Sequence, residues 1–222
     1  MSSPVTAQAP ATFSASLRRR AVIEVVTLAI ATPMFILLAP HSGPLYVVMA
    51  ALFLVFVGLN AREIRTAVWT GPLSAGNGWC WYSARSILLL TALVVAVFFG
   101  WYLLSEHEAS FGNMLLTIAI YLPWALVQET IFLFYLLGRL RVLFPATSPV
   151  ALSAVNGTAY GAVHWPDPWV GVLAALIGAI WAYSYFHHQR LLPIAVSHAV
   201  LGATFYYLVV GRDLFSEFLA LI

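Results

Sequence analysis

The sequence predicts an all-α integral membrane protein, a bundle of about seven transmembrane helices with a cytoplasmic N-terminus. Hydrophobic residues make up 62% of the 222 residues and charged residues only 8%, and the mean hydropathy is +0.92. A soluble domain would not bury that much apolar surface. Seven apolar runs approach the ~20 residues that a helical span needs, and neither strand-like alternation nor an internal repeat interrupts them.

The spans are expected at about residues 21–40, 44–60, 86–104, 113–138, 149–164, 169–186 and 191–210. The fifth run is short and polar for a helix that faces lipid. Its polar residues are Ser153, Asn156, Thr158, Tyr160 and His164. We therefore expect the fifth helix inside the bundle.

The arginines predict the orientation, since the chain has no lysine. With the N-terminus inside, nine of them are cytoplasmic: Arg18, Arg19, Arg20, Arg62, Arg65, Arg85, Arg139, Arg141 and Arg190. Only Arg212 falls outside. Because cytoplasmic loops of membrane proteins are enriched in arginine and lysine, this distribution favours seven spans. The expected location is the cytoplasmic (cell) membrane, as a multi-pass protein.

The predicted organisation has three segments. Residues 1–20 form a disordered cytoplasmic tail with a basic juxtamembrane end, residues 21–212 the seven-helix domain, and residues 213–222 a short C-terminal tail. The single cysteine, Cys80, excludes an internal disulfide. A net charge of +2 does not indicate nucleic-acid binding, because the arginines are explained by topology. The bilayer is the expected partner, and nucleic acid is not.

Glu129 is the strongest functional candidate, because it lies in the middle of the fourth apolar run. An acid at that depth costs roughly 3 kcal/mol on insertion scales and is normally retained for a partner or a reaction. His164 and His198 are also deep. At ~1.5 Å per residue, Glu129, His164 and His198 lie ~15, ~22 and ~12 Å from the nearest cytoplasmic boundary.

These three residues have structural as well as chemical interpretations. Glu129 alone could be a protonated buried acid bonded to a neighbouring backbone, and either histidine alone could be a bundle-core imidazole. Together, a glutamate and a histidine can hold and deprotonate a water molecule, and a second neutral histidine can donate to a developing oxyanion. The combination favours a hydrolytic site.

Several other intramembrane chemistries lack their motifs. There is no His-Glu-x-x-His zinc motif and no Gly-x-Ser-x-Gly elbow. Both aspartates, Asp167 and Asp213, lie in predicted loops, which removes an aspartyl dyad. Glu129, His164 and His198 have acceptable ligand types for zinc, but three scattered ligands are weak support. We expect neither a metal nor another cofactor.

Three segments in order, across about residues 113–205, resemble the CAAX-endopeptidase and bacteriocin-processing (CPBP, or "Abi") family of glutamic-type intramembrane proteases. The family's Glu-Glu-x-x-x-Arg motif is similar to the segment that starts Gln128-Glu129 and continues to Arg139. Its Phe-x-x-x-His motif is similar to Tyr160-Gly-Ala-Val-His164. Its His-x-x-x-Asn motif is similar to His198-Ala-Val-Leu-Gly202, which follows a typical Leu-Leu-Pro.

The sequence departs from the family motifs at three positions. Gln128 replaces the first glutamate, Leu133 replaces the arginine, and Gly202 replaces the asparagine. The two changes in the first motif compensate in charge, because one acid is lost together with one cation. One carboxylate remains in the motif. Loss of only one member of the ion pair would have left a buried charge without its counter-ion, which is strongly destabilising.

The resemblance implies an intramembrane endopeptidase that hydrolyses a peptide bond of a membrane-embedded or membrane-proximal substrate. Its partner would be a membrane protein or a lipidated or hydrophobic peptide. In this interpretation Glu129 is the base, His164 orients the water, and Gln128 bonds the water or the scissile carbonyl. His198 polarises that carbonyl. The supporting residues are Asn156, Thr204 and Tyr160, with Asn156 or Thr204 replacing the missing asparagine as donor.

Two alternatives come from other classes. A catalytically inactive relative could act as a binding, immunity or assembly factor, and Gln128 in place of the usual first acid is its best support. A small transporter would need matched broken helices in two halves of the chain. The sequence shows no such pairing.

Overall fold

The computed structural model describes residues 13–38, 58, 80–164 and 167–220. Within these ranges the chain is helical and contains no strand, which confirms the predicted all-α class. The α-helices are α1 (Ala15–Leu38), α2 (Cys80–Leu103), α3 (Phe111–Glu129), α4 (Gly138–Leu143), α5 (Pro149–Ala162), α6 (Pro168–His188), α7 (Leu191–Phe205) and α8 (Leu214–Leu219). Two π-helices, π1 (Thr130–Leu137) and π2 (Tyr206–Val210), follow α3 and α7 directly.

Four described helical runs are long and apolar enough to cross a membrane: Ala84–Leu103, Phe111–Leu143, Pro168–His188 and Leu191–Val210. They coincide with the predicted third, fourth, sixth and seventh spans. The chain is therefore a membrane protein, while the count of seven spans and the cytoplasmic N-terminus stay predictions.

The remaining predicted spans differ in how much of them is described. Helix α1 overlaps the first and begins at Ala15, within the segment expected to be a tail. The second, residues 44–60, lies outside the described residues except for position 58. The fifth corresponds to α5, which has only 14 residues. At the other end of the chain, residues 214–219 of the predicted C-terminal tail form α8.

Helix α2 shows the surface expected of a lipid-facing span. Its side chains at Leu89, Leu93, Val97 and Trp101 repeat every four residues and are each 59–63% exposed. Residues at that spacing lie on one face of a helix. A continuous apolar stripe of this kind would be unfavourable in water and is accommodated by hydrocarbon.

The helices are distributed over two compact units. Among the described residues, the first unit comprises residues 13–38, 135–164 and 167–182. The second comprises residues 58, 80–134 and 183–220. Glu129 and His198 belong to the second unit, and His164 belongs to the first.

The second unit is organised around α7, which packs against both α3 and α2. Helix α7 is apolar with small residues on the packed side, and nine of its fifteen residues are buried. A hydrogen bond of 2.7 Å joins Ser197 Oγ on α7 to Thr91 Oγ1 on α2. This bond satisfies two buried hydroxyls and fixes α7 next to the position of His198.

One end of the second unit is held by Asp213. Its carboxylate accepts from Tyr207 Oη at 2.6 Å, from Asn113 Nδ2 at 2.7 Å, and from the backbone and hydroxyl of Ser216 at 3.0 Å. Desolvation alone would raise the pKa of the Asp213 carboxyl, but these hydrogen bonds outweigh it and hold the pKa well below its ordinary value. The stabilisation is therefore complete above the ordinary carboxyl pKa of about 3.9 and is lost as the pH falls through the folded value.

In the first unit, glycines allow α5 and α6 to approach closely. A Cβ on Gly157 would lie 2.5 Å from the backbone oxygen of Ala175, and a Cβ on Gly161 would meet the backbone oxygen of Gly171. Helix α5 begins at Ser148, whose hydroxyl accepts from the Ala151 N–H at 3.2 Å. Small residues four apart are a typical helix interface in membranes.

Helix α1 is joined to α4 in the same unit by an ion-pair network. Glu24 accepts from Arg20 Nε at 2.7 Å and also from Arg139 Nε. Arg18 donates to the Leu143 carbonyl at 3.2 Å. Arg139, the last arginine of the first motif segment, is therefore paired with an acid on α1.

Candidate functional site

Glu129 is the last residue of α3 and lies inside a 33-residue helical run, Phe111–Leu143. Its side chain is fully buried, with 0% exposure. Phe132 and Leu133, which follow at three- and four-residue spacing, are buried as well. The carboxyl group is thus in an apolar setting, where an ion without a partner would be costly.

The carboxyl group is paired with the histidine of α7. Glu129 Oε1 lies 2.9 Å from His198 Nδ1, and the histidine is 5% exposed. With one proton between them the two groups sum to zero charge, whichever of the two holds it. A proton can therefore move between the two groups of this buried pair without creating net charge.

Tyr121 extends this pair to Gln128. Its hydroxyl donates to Gln128 Oε1 at 3.1 Å and lies 3.2 Å from His198 Nε2. The phenol and imidazole rings meet edge to face, with centroids 5.4 Å apart and an angle of 89°. Four residues from α3 and α7 therefore form one hydrogen-bonded chain: Gln128, Tyr121, His198 and Glu129.

The helix changes geometry at the acid. Helix α3 ends at Glu129, and the next eight residues, Thr130–Leu137, are π-helical. The Thr130 N–H bonds both the Leu126 and Val127 carbonyls, and the Thr130 hydroxyl donates to Leu126 at 2.7 Å. Wider π turns inside α-helices frequently occur at functional sites.

His164 lies in the first unit, just after the end of α5. Its Nδ1 is 2.9 Å from the Tyr160 carbonyl oxygen. A carbonyl only accepts, so this nitrogen carries the hydrogen and Nε2 carries the lone pair of the neutral ring. The imidazole also stacks on the buried Tyr160 ring, with centroids 5.6 Å apart, and Tyr160 packs edge-on against Trp181. The second-motif tyrosine thus orients its own histidine.

The two expected donor residues have different surroundings. Thr204 donates to the Val200 carbonyl of its own helix at 2.7 Å. Asn156, in the first unit, is 0% exposed, and neither its Nδ2 nor its Oδ1 has a hydrogen-bond partner among the described residues. One turn earlier, the buried Ser153 hydroxyl has none in the same ranges either. Buried polar groups without partners are rare and usually have a reason.

Tyr121 was not among the site residues predicted from the sequence. The signal that could have found it is its spacing, because position 121 precedes Gln128 by seven residues, two helical turns on one face. A phenol at mid-span also needs a polar partner.

No group of three or more His, Cys, Asp or Glu side chains suited to a metal ion occurs within the described ranges.

Residues 109–204 match the protein-family model described as type II CAAX prenyl endopeptidase Rce1-like. The match covers somewhat less than half of the chain and contains all three motif segments. The match supports the predicted resemblance of this segment to the CPBP family. No curated protein and no solved structure matches the chain.

The three departures from the CPBP motifs have distinct surroundings in this Rce1-like segment. Leu133 is 0% exposed, so an apolar side chain suits its site. Gln128 bonds Tyr121 through its amide oxygen. Gly202 lies against the same tyrosine, since a Cβ there would be 3.2 Å from Tyr121 Cε1. Two of the three departures therefore contact one residue, Tyr121.

Proposed function

We propose that this chain is an intramembrane endopeptidase that hydrolyses a peptide bond of a membrane-embedded or membrane-proximal substrate. The observation that carries the proposal is the contact of 2.9 Å between Glu129 Oε1 and His198 Nδ1, inside the Rce1-like segment. A fully buried acid bonded to imidazole is a general base suited to activating water in an apolar environment.

In the proposed reaction, the pair reacts in its carboxylate–imidazolium form. The Glu129 carboxylate accepts the proton of the attacking water and later returns it to the leaving amine. The amide NH₂ of Gln128 donates to the water or to the scissile carbonyl, because the amide oxygen already accepts from Tyr121. Asn156 is the proposed further donor to the oxyanion. Thr204 is a weaker candidate, since its hydroxyl hydrogen is used on its own helix.

The second motif supports assigning His164 to the same reaction as the residue that orients the water. Its Nδ1 proton is committed to the Tyr160 carbonyl, so Nε2 is the atom that would accept from water. The support for this role is the order and spacing of the motifs in the family segment.

The substrate class follows from the family, whose members are described as CAAX prenyl endopeptidases. Prenylated CAAX proteins carry a lipid on a cysteine three residues before the C-terminus. A lipid-modified peptide would be delivered at the membrane, where the candidate site lies. The exposed apolar faces of the spans agree with a site reached from the bilayer.

The test uses the purified full-length protein in proteoliposomes and an internally quenched peptide that ends in a farnesylated CAAX sequence. We expect cleavage at a single bond by the native protein, identified by mass spectrometry. Glu129→Gln should lower kcat by about 10²–10⁴-fold, the usual contribution of a general base. Glu108→Gln, which changes an exposed loop acid, is the matched control and should cleave normally.

A second candidate function is binding without cleavage, and Gln128 at the position of the usual first acid favours it. In that case the native protein would bind the same farnesylated peptide and leave it intact, with equal affinity in Glu129→Gln. Cleavage that persists undiminished in Glu129→Gln would contradict both the proposed base and this alternative.

A further inference from the structure

The position of the hydrogens on His198 is determined by its two neighbours. Nδ1 lies 2.9 Å from Glu129 Oε1, and Nε2 lies 3.2 Å from Tyr121 Oη. Tyr121 has a single hydroxyl hydrogen, which it donates to Gln128 Oε1 at 3.1 Å, because an amide oxygen only accepts. Tyr121 Oη therefore accepts from His198, and Nε2 carries a hydrogen.

This arrangement leaves one mobile proton. With Nε2 protonated, Nδ1 of the neutral ring has the lone pair, and it accepts from the protonated Glu129 carboxyl. When that proton crosses, the pair becomes carboxylate and imidazolium, again with zero net charge. The exchange takes place along the bond of 2.9 Å between Glu129 and Nδ1. The phenol hydroxyl thus confines the mobile proton to the side of the ring that faces the acid.

The neighbouring glycine makes room for the phenol. A Cβ on Gly202 would be 3.2 Å from Tyr121 Cε1 and 3.9 Å from Cδ1, the first closer than most side-chain contacts in proteins. A larger residue at this position would push the ring away from His198. Tyr121 and Gly202 are therefore a sterically matched pair, with the ring occupying the volume that a side chain on residue 202 would need.

We propose that Tyr121 is the positioning residue of this site. It holds His198 in the tautomer protonated at Nε2 and so directs Nδ1 towards Glu129. Its ring occupies the space that a side chain at position 202 would fill. The proposal rests on the proposed function only for its effect on cleavage, since the tautomer of His198 is a property of the resting protein.

The first test needs no substrate. Full-length protein labelled with ¹⁵N-histidine is compared in detergent micelles with Tyr121→Phe, and His198→Gln identifies the signals of this ring. In the native protein we expect a protonated Nε2 signal, and in Tyr121→Phe a mixture of tautomers. Tyr102→Phe, which removes a phenol hydroxyl from α2, is the control and should leave the His198 signals in place. Unchanged His198 signals in Tyr121→Phe would overturn the proposal.

The second test measures cleavage of the farnesylated CAAX peptide. Tyr121→Phe should lower kcat by about 10–100-fold, by analogy with the loss of a hydrogen-bond partner that orients a metal-bound histidine. KM should change by less than about twofold, since the phenol acts through His198. Native kcat in this variant would contradict the assignment. If the native protein does not cleave at all, the proposed function fails, while the histidine spectra still decide the role of Tyr121.

A double variant tests the steric pairing. Gly202→Asn alone should lower kcat, because the new side chain displaces the phenol, and Tyr121→Ala alone should also lower it. In Tyr121→Ala/Gly202→Asn the space is vacated and an amide stands beside His198, so we expect higher activity than in either single variant. If the fold reduction of kcat in the double variant equals the product of the reductions in the two single variants, the two positions act independently and the pairing is overturned.

Discussion

Asn156 is a single residue that is expected to lower the stability of this protein. Its amide is fully buried on α5 and has no hydrogen-bond partner among the described residues. A buried donor or acceptor left unsatisfied costs about 1–3 kcal/mol. A residue that is costly in the resting protein is a candidate for an interaction that forms with substrate.

Replacing Asn156 by leucine, a side chain of similar size, should therefore separate stability from activity. We expect Asn156→Leu to raise the free energy of unfolding by about 1 kcal/mol, since the desolvation penalty of the amide disappears. Cleavage of the farnesylated peptide should fall. Unfolding in detergent micelles and the peptide assay, on the same preparation, provide the two measurements.

Ser153→Ala is the matched control for Asn156→Leu. It removes a buried hydroxyl that has no hydrogen-bond partner among the described residues, one turn earlier on the same helix. Ser153→Ala should stabilise the protein without changing cleavage. A lower unfolding free energy in Asn156→Leu would contradict the explanation, because it would mean that the amide is satisfied in the folded protein.

Among the elements, the α5–α6 pair depends most directly on missing side chains. Gly157 meets the backbone oxygen of Ala175 and the backbone nitrogen of Ala179, at 2.5 and 2.6 Å from a Cβ placed on it. Backbone atoms cannot rotate away as a flexible side chain does, so the two helices would have to separate. Because membrane helices associate largely through such close packing, a single methyl group has a large effect.

Gly157→Ala should therefore lower the unfolding free energy by about 1–3 kcal/mol, the usual cost of overpacking. Gly100→Ala is the control, since a Cβ on that α2 glycine meets nothing within 4 Å, and alanine favours the helix by up to about 1 kcal/mol. Both values come from denaturant titration in the same detergent. Equal effects of the two substitutions would show that α5 and α6 do not pack through Gly157.

The two π-helices were not predicted from the pattern of apolar runs in the sequence. Apolar length located four helical runs that are long and apolar enough to cross a membrane, because hydropathy is summed over about twenty residues and tolerates local irregularity. It did not predict π1 after Glu129, since a π turn differs from an α turn by one residue and depends on packing by other helices.

At the scale of the whole molecule, the fold class could be predicted from the sequence, whereas the contacts within the candidate site could not. Composition was sufficient to predict a helical membrane protein, and the motifs indicated the family whose model matches residues 109–204. The chain Gln128–Tyr121–His198–Glu129 was not predictable in this form. It joins α3 to α7 across 77 residues of sequence, from Tyr121 to His198, and no periodicity specifies which rotated faces of two helices meet.

The orientation predicted from the arginines can be tested with single cysteines in a Cys80→Ser background. Helical run Phe111–Leu143 is about 50 Å long at 1.5 Å per residue, more than the ~30 Å hydrocarbon core. Its two ends should therefore emerge on opposite sides. In intact cells a membrane-impermeant maleimide should label Glu108→Cys, and it should label Ala146→Cys only after permeabilisation. Both positions are exposed. The opposite pattern would contradict a cytoplasmic N-terminus.

A third cysteine tests the number of spans. That number depends on whether the short helix α5 crosses the membrane. Three crossings by α5, α6 and α7 would return the chain to the outside, so the exposed Glu217→Cys should react in intact cells as Glu108→Cys does. At 14 residues, α5 is only about 21 Å long and is shorter than the hydrocarbon core. It can complete a crossing only where the residues that follow it carry the chain to the surface. Protection of Glu217→Cys in intact cells, with Glu108→Cys labelled, would show that α5 does not cross and that the count of seven is wrong.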